Sequence, residues 1–217
     1  MNPIVRGTAS VVALSLTLFL SACAQRGQAG TIELSALGSK PLVLERALQF
    51  GHYAQLESEI SFWFSDVPFE TLATHSATEP MQDAVFLHAQ LVWEPEPGRT
   101  PLASTATNVV TRVVIVSGGE IGLYGGAAFA RPRDAIGDEQ LEIVLRGGTL
   151  TLLAHTPGFH DLLSPVGLHG TLTASCSTEE TNRWRRGVSQ LVTNALGRSM
   201  WVSNEQSSPT AGLLSSR

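Results

Sequence analysis

At 217 residues, with 43% hydrophobic and 15% charged side chains, the chain suits one domain with a sizeable core or two small ones. Its formal charge is −5 and its longest basic cluster is the short run at 183–186, which argues against nucleic acid as a partner. Lys40 is the only lysine, and Cys23 and Cys176 are the only cysteines.

Taken from the start, residues 1–7 carry one cation, Arg6, and no acid, and Val11 to Leu20 then run apolar apart from Ser15 and Thr17. Ten helical residues span ~15 Å, about half of the ~30 Å hydrocarbon core of a bilayer. That is too short to span and right for the apolar stretch of a secretory signal. Leu20-Ser21-Ala22-Cys23 follows, an apolar residue, two small residues and a cysteine. It resembles the lipobox of bacterial lipoproteins at all four positions.

The resemblance implies that residues 1–22 are a signal peptide cut away before Cys23, and that the Cys23 thiol carries a diacylglyceryl group. The new amino terminus would receive a further acyl chain, and two or three chains anchor a protein where one does not. The membrane is then a partner through the lipid on Cys23. In Gram-negative lipoproteins an aspartate after the cysteine favours the inner membrane. Ala24 stands there instead, which implies the outer membrane, facing the periplasm. The resemblance ends at residue 23 and says nothing about the remaining chain, whose formal charge is −6 once Arg6 is removed.

Residues 23–39 are small, polar and glycine-containing, the composition of a flexible lipidated tether. A single β-rich domain is predicted over 40–200 and a serine-rich disordered tail over 201–217. Near 42–55 the pattern allows a short helix, weakened by Gly51. In 57–65 the period is two: Ile60, Phe62 and Phe64 share one face, and Trp63 falls on the other with Glu57, Glu59, Ser61 and Ser65. Residues 84–93 and 107–117 are evenly apolar, as central strands covered on both faces are. Gly118-Gly119 and Gly147-Gly148 stand between apolar runs and read as tight antiparallel turns. Neither pair has the spacing or the lysine of a phosphate-binding loop.

Alternation resumes through Leu141, Ile143 and Leu145, then Leu150 and Leu152, then Leu172 and Ala174. The period becomes helical over 178–197, with Ser177 or Thr178 as N-cap, Glu179 and Glu180 in the first turn and Gly197 as the stop. Its apolar stripe is Trp184, Val188, Leu191, Val192 and Ala195. The fold class that follows is mainly β: an antiparallel sandwich or open barrel of about seven strands with a C-terminal amphipathic helix.

Chemistry is sparse. His155, His160, Asp161 and His169 lie within fifteen residues rich in proline and glycine, and imidazoles with a carboxylate are a zinc ligand set. Their spacing matches no metal motif, and the strand parity of His155 and His169 argues against their meeting. Ser164 has no nucleophile elbow around it, and the pairs Asp138/Glu139 and Glu94/Glu96 lie in turn-like contexts. Trp63 is the candidate ligand-binding residue, a flat indole for a sugar ring or a partner if the C-terminal helix leaves it open. Trp93 is expected to anchor the proline-rich loop after it, and Cys176 to be a buried, inert thiol at a strand end. No catalytic residue and no cofactor is assigned. The expected function is a lipid-anchored envelope protein that binds or scaffolds, its partner an envelope protein or a glycan. The alternative is an envelope hydrolase or metalloprotein using the 155–169 loop.

Overall fold

In the computed structural model, which describes residues 28–56, 59–75, 80–95 and 106–201, the period-two stretches form nine strands. They are β1 (Gly30–Ala36), β2 (Val43–Leu48), β3 (Phe50–Leu56), β4 (Glu59–Ser65), β5 (Asp83–Leu91), β6 (Val109–Ser117), β7 (Glu120–Pro132), β8 (Gln140–His155) and β9 (Val166–Cys176). Helix α1 (Phe69–Thr74) follows β4, and helix α2 (Thr178–Leu196) follows β9. The mainly β, antiparallel fold with a C-terminal helix is the one expected, with two more strands. The signal segment and lipobox, and all of the predicted tail but Trp201, lie outside the described residues.

Strands β3 to β9 close into a ring. Consecutive strands from β3 to β9 pair antiparallel, and β9 then meets β3 in parallel through His52↔Ser175 and Tyr53↔Cys176. Before reaching β3, β9 pairs with β1, which carries β2 on its other edge. The first strand thus begins at Gly30, inside the stretch whose composition suggested a tether.

The alternation in β4 sorts its side chains to two separate cores. Phe62 and Phe64 point into the ring with Tyr53, Leu87, Val113, Tyr124, Leu141 and Leu168. Trp63 points out and packs with Phe86, Val114, Leu123 and the α2 residues Trp184, Val188, Leu191 and Val192. Strands β4, β5 and β6 are therefore buried on both faces, which is why 84–93 and 107–117 lack alternation.

Helix α2 begins and ends at the predicted caps. The Ser177 hydroxyl accepts a hydrogen bond from the Glu180 amide at 3.2 Å, and Gly197 adopts φ 68° with its N–H on the Thr193 carbonyl. Of the predicted stripe, Ala195 is exposed while the other four residues are buried, joined by Thr181.

Three local expectations are overturned. No helix forms near 42–55. Leu44 and Leu48 are four apart, a spacing that serves either period, and pairing with Leu34 and Gly30 of β1 decides for strand. Gly147-Gly148 is not a turn: β8 runs through it as one sixteen-residue strand with a register shift between Leu145 and Gly148. Gly148 is needed there because a Cβ would lie 2.9 Å from the Leu168 Cβ. Cys176 is exposed at the end of β9 rather than buried. Gly118-Gly119, in contrast, is a two-residue hairpin turn with φ 58° and 85° between Ser117 and Glu120.

Candidate functional site

At the seam β9 changes partner from β1 to β3. A cleft of about 660 Å³ lies over it. Gly51 makes the seam possible: a Cβ there would sit 2.6 Å from the Thr173 carbonyl oxygen and 2.8 Å from the Phe64 ring. The floor is Phe50 and His52 of β3 with Thr173 and Ser175 of β9, on the outer side of the ring, together with Gly51 between the first two. Gln28, two residues before β1, and Gln140 close its sides.

The helices supply its charges. α1 packs on α2 with the Phe69 ring edge-on to Trp184 at 5.3 Å. The Arg183 guanidinium lies 3.9 Å from the centre of the Phe69 ring, 3.3 Å from Glu180 and 3.8 Å from Glu70. Two carboxylates around one guanidinium leave this wall net negative, a poor surface for an anion. Burial holds the His52 imidazole below its usual pKa against the opposing pull of Glu180, so it is neutral at pH 7. Its Nδ1 is buried without a partner. The cleft thus offers amides, hydroxyls and a neutral imidazole beside an apolar edge, the means to hold a neutral, hydroxyl-rich ligand.

Sequence reasoning placed the candidate residues elsewhere. Trp63 does face outward, but it is 1% exposed, stacked on His88 at 4.4 Å and 6.0 Å from Trp201. A sugar cannot lie on its face, because the helix side and Trp201 cover it. Trp201 itself, assigned to a disordered tail, is packed and half-buried.

The histidine loop does not converge. His155 is exposed at the end of β8, with its Nδ1 2.8 Å from the Thr156 carbonyl, and His160 is exposed in the loop. His169 is exposed on β9 opposite Glu33. Asp161 Oδ1 instead accepts from the Tyr124 hydroxyl at 2.7 Å and from the Leu163 and Ser164 amides. Burial, and then Asp161, push the Tyr124 phenol above its usual range, so it stays protonated as the donor. Among the described residues no three histidine, cysteine or acidic side chains are grouped to hold a metal ion. Trp93 packs edge-on to Phe129 at 6.4 Å, an anchoring contact of the expected kind, although 39% of its surface is exposed.

A second constellation was missed from sequence. Trp63, His88 and Arg112 lie directly opposite one another on β4, β5 and β6, on the outer face. His88 is fully buried, with the Ser61 hydroxyl 3.2 Å from Nε2. Burial, then the charges of Arg112 and Arg185, push its pKa down to about 3. The visible signal was a histidine inside an apolar run, where a buried polar group needs a reason.

No helix among the described residues is long and apolar enough to cross a membrane. Compared with protein-family models, curated proteins and solved structures, the chain matches none.

Proposed function

We propose that this chain is a lipid-anchored protein of the bacterial cell envelope that binds rather than catalyses, with the cleft at the ring seam as its binding site. The observation that carries this reading is the position of Gln28. It lines the cleft and stands five residues after Cys23, the lipobox cysteine. Five residues reach at most ~18 Å when fully extended. An acylated Cys23 therefore keeps the cleft within ~18 Å of the bilayer surface, most naturally at the periplasmic side of the outer membrane. A net-negative wall with amide and hydroxyl neighbours suits a neutral glycan better than a phosphate-bearing headgroup.

Two measurements test the reading. In cells fed a labelled fatty acid, the wild type should take up label and Cys23→Ala should not; equal labelling of both would remove the anchor. The wild type should also cosediment with purified cell-wall sacculi, and Ser175→Trp, which fills the cleft, should abolish this while retaining the wild-type far-ultraviolet spectrum. Undiminished cosedimentation of Ser175→Trp would rule out the cleft.

A further inference from the structure

The outer-face row holds more hydrogen-bond donors than it uses. Trp63 Nε1, His88 Nδ1 and Trp201 Nε1 are all buried without a partner. The Arg112 guanidinium lies 5.4 Å from the centre of the Trp201 ring, and no carboxylate among the described residues forms a salt bridge with it. Burying one such N–H without an acceptor costs about 1–3 kcal/mol, so three together beside a half-buried cation call for one common acceptor.

The chemistry of that acceptor can be read from the donors. Indole N–H and guanidinium groups only donate. His88 joins them once the Ser61 hydroxyl donates to Nε2, because the imidazole proton then sits on Nδ1. Four donors and no free acceptor ask for an anion. Arg112 is the one guanidinium in the row itself, Arg185 acting on His88 from α2, so the row balances one negative charge and a dianionic phosphate would leave charge buried and unpaired. A carboxylate is planar, carries one charge and has four lone-pair directions.

We propose that Trp63, His88, Arg112 and Trp201 form a carboxylate-binding site on the outer face of the sheet, independent of the cleft. The carboxylate has two sources, a diffusible ligand or Glu205 of the same chain. Glu205 stands four residues beyond Trp201, within ~14 Å of extended chain.

Tryptophan fluorescence separates the sources because two of the four tryptophans are in the site. The full chain is titrated with sodium acetate, with sodium chloride at equal ionic strength as the blank. If the ligand is diffusible, the wild type responds to acetate. If Glu205 fills the site, the wild type is silent and Glu205→Gln becomes responsive. In either case Arg112→Gln, placed in the responsive background, weakens acetate binding at least tenfold. Arg112→Lys keeps the charge without the fork, and serves where Arg112→Gln does not fold; it should bind severalfold more weakly than arginine. The site is refuted if neither the wild type nor Glu205→Gln responds, or if the arginine variants respond as their parent does.

Discussion

Trp63 and His88 face each other across β4 and β5, their rings stacked 4.4 Å apart and 20° from parallel, so a titratable group is sealed inside an aromatic contact. The imidazole can stay there only while neutral, and its pKa of about 3 lies below the ordinary 6.5 of an unfolded chain. Between those values the unfolded state binds the extra proton. Stability therefore falls as pH drops from 6.5 towards 3, by ~1.4 kcal/mol per pH unit from this group. His88→Phe keeps the stacking and removes the proton. Urea unfolding at pH 7 and pH 4.5 should show the variant losing less stability on acidification than the wild type; equal losses would place His88 in contact with water.

Gly51 and Gly118 separate two reasons for glycine. At Gly51 a methyl group would strike the Thr173 carbonyl and the Phe64 ring, forcing the β3–β9 seam apart. Gly51→Ala should cost about 2–3 kcal/mol, as overpacking does. Gly118 has open space around it and only its φ of 58° to satisfy, so Gly118→Ala should cost ~1 kcal/mol. Denaturant midpoints of both variants give the comparison, and a larger loss at Gly118 would contradict the packing of the seam.

Asn108 does the work of a missing strand partner. Its side-chain oxygen accepts from the Ala130 amide at 2.6 Å, and its side-chain nitrogen donates to the Ala130 and Trp93 carbonyls at 2.8 and 3.2 Å. Asn108→Ala strands buried backbone groups of Ala130 and should cost at least ~3 kcal/mol. Thermal unfolding checks this, and Asn108→Ser, which can restore one bond, should lie between the two.

At the start of α2, Ser177→Ala should cost about 1 kcal/mol through the lost bond to the Glu180 amide. Because Glu180 pairs with Arg183 one turn on, the same change should loosen the cleft wall. Faster amide exchange at Glu180, with exchange at Leu191 unchanged, is the expected signature.

Local rules were legible wherever one element could satisfy them alone. Ser177 and Gly197 cap α2 in both sequence and structure, and Ile60, Phe62 and Phe64 declare the inner face of β4 without reference to any neighbour. What stayed hidden depends on partners far along the chain. Leu44 and Leu48 become strand residues only against β1, and Gly148 becomes a bulge only because Leu168 lies beneath it. The sites are of the same kind. His52 gains meaning from Glu180, and Arg112 from Trp63 two strands away and Trp201 beyond α2. No motif spans such separations.

The parallel seam between His52 and Ser175 also sets an order of events for the nascent chain. Its two halves are 123 residues apart in sequence, so the contact has a high closure cost and must await synthesis of the final strand. Until then β3 and β8 are bare strand edges, the feature most prone to pairing with another chain. A chain completed only at its last described strand spends the interval before β9 arrives in its most aggregation-prone form. Keeping those edges apart until β9 arrives is therefore a demand on whatever meets the unfinished chain.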